Sequence, residues 1–133
     1  MEPNKSKNSS PRIKVIQKLY NSLMNPNELI DYPKSQYKKF IKDVVTGTLE
    51  RSDLIEEKIN IFLTKDIDLI KTDKLLKIIL FAAIFELMFK HGTPKKVIIN
   101  EYLLASEHFL EKIQTGYLNA ILDKIAKELR KDE

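Results

Sequence analysis

An all-α fold is the class this sequence predicts, from its scarcity of chain breakers, its helical apolar spacing and its helix punctuation. Only three Gly and five Pro occur in 133 residues, which favours long helices over a strand-and-turn architecture. Apolar residues recur at helical spacing along almost the whole chain, and most runs open or close on capping residues. Hydrophobic residues at 43% and charged residues at 32% fit one folded domain rather than a disordered chain.

The first helix opens at Ser10-Pro11, where Ser can cap and Pro fits the first helical position because its missing N–H has no partner there. Ile13, Ile16, Leu19, Tyr20 and Leu23 follow at helical spacing, and Asn25-Pro26 ends the run. A connector at 27–33 leads to a second helix over about 35–49, carrying Tyr37, Phe40, Ile41, Val44 and Val45. Gly47 lies inside it at a cost of about 1 kcal/mol relative to Ala, so it marks a close helix crossing. Ser52 opens a third helix with Ile55, Ile59, Phe62 and Leu63 on one stripe, and Asp53, Glu56 and Glu57 favourably near its N-terminus.

Residues 65–71 are the expected hinge. Thr72-Asp73 opens a fourth helix, closed by a left-handed cap at His91-Gly92. Its segment 78–89 is apolar on nearly every face apart from Glu86, as a helix surrounded by others requires, and is well short of the ~20 residues of a membrane span. A fifth helix starts at Thr93-Pro94 and runs to about 109. After a break near 111–115, a sixth carries Leu118, Ile121, Leu122, Ile125 and Leu129. Six helices with short links read as two packed three-helix units, with halves at about 11–64 and 72–130 of a single domain 11–133. Residues 1–10 form a flexible basic tail.

Function classes narrow next. There is no Cys, so disulfides, thiolate nucleophiles and sulfur-ligated metals are excluded. His91 and His108 stand apart from any ligand partner, and no nucleophile–base pair or glycine-rich phosphate loop occurs, so no catalytic residue, metal or cofactor is expected. Glu86, alone in its apolar run, reads as an acceptor for a neighbouring helix end or a lysine. The polar N-terminus has no secretory h-region, so a cytoplasmic chain without membrane association is expected. Lys5, Lys7, Arg12, Lys14 and Lys18 against Glu2 give residues 1–20 the entire net charge of +4. That concentration attracts a polyanion, or serves as a solvated tail.

Several strings in register resemble the NusB family of bacterial transcription antitermination factors. They are Arg12-x-x-x-x-Gln17-x-Leu19-Tyr20, Gly47 with its preceding aliphatic pair, and Ala82-Ala83-Ile84-Phe85-Glu86-Leu87. Pro94-Lys95-Lys96-Val97-Ile98-Ile99-Asn100-Glu101 and Tyr117-Leu118-Asn119-Ala120-Ile121-Leu122-Asp123-Lys124 resemble P-x-K-V-A-I-N-E and F-V-N-G-V-L-D-K. The resemblance spans about 12–124 and implies a NusB-like fold of two packed three-helix bundles. It also implies binding of single-stranded boxA RNA together with NusE, a small-subunit ribosomal protein, and an indirect link to an RNA polymerase antitermination complex. By motif, Arg12 matches an RNA-contacting arginine, Tyr20 a NusE-contacting tyrosine, and Tyr117 an aromatic near both.

With the charge pattern, the expected RNA-binding set is Lys5, Lys7, Arg12, Lys14 and Tyr117, and the partner-binding set is Tyr20 and Tyr117. Phosphates need cations and unstacked bases need aromatic faces. The sequence departs from the family pattern where Asn8, Ser9, Ser10 and Pro11 replace arginines, Phe81 replaces an arginine, Ala120 a glycine and Leu76 an acidic partner contact. Phe81 and the missing arginines favour a second reading, an interaction or homodimerisation module with weakened RNA binding. A third is a stand-alone NusB-like domain acting in ribosomal RNA maturation.

Overall fold

The computed structural model describes residues 10–133. Lys5, Lys7 and the tail over 1–9 lie outside them. The helices are α1 (Pro11–Met24), α2 (Lys38–Glu50), α3 (Ser52–Phe62), α4 (Ile67–Thr72), α5 (Lys74–Phe89), α6 (Lys95–Ser106) and α7 (Lys112–Leu129), with a 3-10 turn at Thr64–Asp66 before α4. No strand occurs among the described residues, and the fold is all-α as the spacing predicts.

Helix α5 is the axle. It packs against each of the other six helices, and Ile79, Leu80, Ala82, Ala83, Ile84 and Leu87 have no solvent exposure. One continuous apolar cluster runs from Ile13 on α1 through α5 to Ala126 on α7. Gly47 on α2 sits against the Phe85 ring of α5, so the predicted close crossing is real and leaves no room for a methyl.

Several local expectations are corrected. Residues 65–71, the expected hinge, are not irregular chain: the 3-10 turn and α4 occupy them, with Ile70 buried. Helix α2 begins at Lys38, and α6 ends at Ser106, before Phe109. The side chain of Ser10 makes no capping hydrogen bond, and Ser52 lies inside α3. Asp73, by contrast, does cap α5, accepting from the Leu76 amide at 3.0 Å. The anticipated break at 111–115 is instead a helix start, where Glu111 and Gln114 satisfy one another's backbone amides.

The left-handed cap at Gly92 is absent, since no described residue has positive φ. Arg130 does its work. Buried at the end of α7, its guanidinium donates to the carbonyls of Leu87 at 2.6 Å, Thr93 at 3.0 Å, Lys90 at 3.1 Å and Glu86 at 3.3 Å. These include the orphan acceptors of the α5 C-terminus. At the other end, Gln114 donates to Asp73 at 2.6 Å. Helices α5 and α7 therefore run parallel, tied at both ends.

Candidate functional site

Helix α1 is amphipathic, and its two faces serve different ends. Ile13, Val15, Ile16 and Leu19 enter the core. Lys14, Gln17, Lys18 and Asn21, at helical spacing, line a groove of about 640 Å³ with Tyr20. The far wall is the connector and the start of α2, through Tyr32, Pro33, Ser35 and Lys38, while Ile41, Leu75 and Phe109 also line it. Lys14, Lys18 and Lys38 make no ion pair with a described residue. The groove thus combines uncompensated cations with phenol rings and an apolar floor. A neighbouring recess shares Lys14, Ser35 and Ile41 and reaches Ser10, where the basic tail joins α1.

Of the expected site residues, Lys14 and Tyr20 meet in this groove, with Tyr20 half-buried against the core. Arg12 does not join them. It is 8% exposed, and its guanidinium grips Glu86 of α5 in a bidentate pair, Nε to Oε2 at 2.9 Å and Nη2 to Oε1 at 2.7 Å. Tyr102 of α6 donates its hydroxyl to the same Oε2 at 2.5 Å. The Phe40 and Tyr102 rings flank the guanidinium at 4.9 and 5.5 Å, and Glu101 stands 3.7 Å away.

Glu86 has no solvent exposure, yet both its oxygens are satisfied. Its partners are an arginine and a tyrosine, where the sequence suggested a neighbouring helix end or a lysine. Burial alone would lower the pKa of Arg12, but the hydrogen bonds and charge of Glu86 outweigh it and hold the pKa above the ordinary value. Burial and then the Glu86 charge push the Tyr102 phenol well up. This is a core strut joining α1, α5 and α6.

Tyr117 lies elsewhere, on α7. Half-buried, it donates its hydroxyl to Asp66 Oδ1 at 2.5 Å, while Lys124 donates to Asp66 Oδ2 at 3.1 Å. Burial, followed by the hydrogen bond and charge of Asp66, raises the Tyr117 phenol to about 12. Burial acts upward on Asp66 too, but the donors Tyr117 and Lys124 outweigh it and lower its carboxyl pKa. Leu76, matched in the sequence to an acidic residue of some family members, is 1% exposed and belongs to the core.

The family model described as NusB family matches residues 5–127. The chain belongs to the NusB family. It is 33% identical over 156 residues to the transcription antitermination protein NusB of Rickettsia typhi, covering 98% of this chain and 99% of that one. A second NusB, from Rhodopseudomonas palustris strain HaA2, is 34% identical over 94 residues, 71% of this chain. Here the chain spans little more than half, 56%, of the relative's length. The NusB fold itself is shared with the solved T. maritima NusB, at a TM-score of 0.75 and 23% identity over 89% of each chain.

Within this NusB framework, sequence reasoning missed Lys38, Tyr32 and Asp66. Lys18 entered only through the charge sum, although its spacing of four from Lys14 already places both on one face. Tyr32 and Lys38 reach the groove only through the path of the connector, which no periodicity reports. No described group of three or more His, Asp or Glu residues could hold a metal ion, and no described helix is long and apolar enough to cross a membrane.

Proposed function

We propose that this chain is a transcription antitermination factor that binds boxA-like single-stranded RNA together with NusE, and through them engages the RNA polymerase antitermination complex. The observation that carries the reading is the α1 groove, where Lys14, Lys18 and Lys38 meet Tyr20 and Tyr32 without an ion pair to any described acidic residue. Lysines attract phosphates, and rings offer faces to bases or to a partner's apolar side chains. In this reading Lys5, Lys7 and Lys14 meet phosphate, Tyr117 stacks on a base near NusE, and Tyr20 contacts NusE. The chain works in the cytoplasm as a binding protein, without catalysis or cofactor.

Arg12 acts here as a strut, because a phosphate would have to displace a buried bidentate carboxylate. That loss of one RNA-facing cation also supports the second reading, an interaction or homodimerisation module with weakened RNA binding. The deciding measurement is fluorescence anisotropy of a boxA-like RNA, with and without saturating NusE. Tighter RNA binding with NusE, and by linkage tighter NusE binding with RNA by the same factor, is expected. Equal affinity in both conditions overturns the cooperative reading in favour of the interaction module.

A further inference from the structure

The 3-10 turn Thr64–Asp66 closes the segment after α3, and Asp66 points from it to α7. One carboxylate there serves two donors seven residues apart on one helix, the Tyr117 hydroxyl at 2.5 Å and the Lys124 ammonium at 3.1 Å. Tyr117 and Lys124 stand two turns apart on the same face of α7. In the family string F-V-N-G-V-L-D-K the aromatic is Phe, which has no hydroxyl to tether. The tether to Asp66 therefore depends on the tyrosine in this chain.

We infer that Asp66 is a positioning residue for RNA, fixing the Tyr117 ring in one orientation and holding Lys124 beside it. This rests on the proposed RNA contact of Tyr117. A ring anchored at its para oxygen has already lost the freedom that stacking on a base would otherwise remove. A side chain that must be ordered on binding costs affinity by up to about tenfold. Asp66 touches no base. It acts through Tyr117, and the RNA pays less for the ordered ring.

The test is anisotropy with a boxA-like oligoribonucleotide on the full chain and its variants. Tyr117→Phe removes one oxygen and keeps the ring, so RNA affinity is expected to fall about threefold to tenfold. Asp66→Ala and Asp66→Asn release Lys124 alike, but Asn keeps a carbonyl acceptor for the phenol. Asp66→Asn is therefore expected to bind RNA about threefold or more tighter than Asp66→Ala, and this difference should vanish in the Tyr117→Phe background. A merely structural brace would shift the melting temperature without producing that background-dependent ratio. If Tyr117→Phe keeps the parent affinity while Tyr117→Ala loses at least about fivefold, the ring contacts RNA without positioning and the inference is overturned. If Tyr117→Ala also keeps the parent affinity, the RNA role of Tyr117 falls and takes the inference with it. Should Asp66→Ala fail to fold, the Tyr117→Phe arm decides alone.

Discussion

Gly47 of α2 lies so close to the ring of Phe85 on α5 that the ring packs directly on the α2 backbone, in the space a Cβ would fill. Gly47→Ala gains up to about 1 kcal/mol of helix propensity. It must also displace a ring that is 6% exposed and tilted against Phe89 with centroids 5.2 Å apart. Overpacking of this kind costs about 1–3 kcal/mol. Urea unfolding is expected to show a net loss of up to about 2 kcal/mol, and a stabilised variant would show that the crossing can open freely.

Arg12→Ala strands a buried carboxylate. Loss of one partner of such a pair costs about 3–5 kcal/mol, so this substitution should lower stability far more than Lys14→Ala on the same helix. Replacing the network together, Arg12→Met with Glu86→Leu and Tyr102→Phe, should recover most of the loss. Thermal melts of the single and triple variants check both statements.

How much of this was legible follows from the kind of signal each residue carries. The core helix announced itself because 78–89 is apolar almost throughout, and Gly47 because a helix interior disfavours glycine. Arg12 and Glu86 could not be paired from sequence: Glu86 stands out in its apolar run, but Arg12 is 74 residues away and alone resembles an ordinary surface cation. Arg130 follows the last apolar residue of its helix, where a cation usually reads as solvated. The short helix over 67–72 alternates charged and apolar residues too briefly to show a period. The groove was half legible: its α1 side follows helical spacing, whereas the connector's side depends on tertiary path.

RNA binding should weaken with salt through the lysines. If about three cations meet phosphate, log affinity falls against log salt with a slope near −2, at about −0.7 per phosphate. Removing residues 1–9 deletes Lys5 and Lys7 and should flatten the slope by about 1.4. Lys14→Gln should flatten it by about 0.7, whereas Tyr117→Ala should weaken binding at nearly constant slope. A salt titration in which Lys14→Gln keeps the parent slope would place the phosphate contacts elsewhere.

Tyr20→Ala should weaken NusE binding more than it weakens RNA binding to the free chain, because Tyr20 lies on the groove beside Leu75 and Phe109. Calorimetry with NusE and anisotropy with RNA give the two affinities. The reverse ordering would remove Tyr20 from the partner surface.

Stability should depend on pH at both extremes. The phenols of Tyr102 and Tyr117 hold their protons in the folded state at pH values where the unfolded chain, near 10.0, releases them. The unfolded state then binds fewer protons, so stability falls as pH rises above about 10. Tyr117→Phe should fall less steeply there. The lowered carboxyl of Asp66 acts at the other end, its contribution present above its unfolded value of 3.8 and lost as pH falls through the folded one. Urea midpoints measured from pH 3 to pH 11 on parent and Tyr117→Phe test both limbs.

The buried pair of Arg12 and Glu86 also bears on how the chain is made. Helix α1 is synthesised well before its carboxylate, which follows 74 residues later. A hydrocarbon at position 12 would leave the nascent helix with one more exposed apolar side chain for that interval, inviting the wrong contacts. Arginine keeps the waiting surface hydrated and adds to the cations of the first twenty residues. Its burial is stable only against Glu86 of α5, so the closing of the core requires a charge match as well as shape.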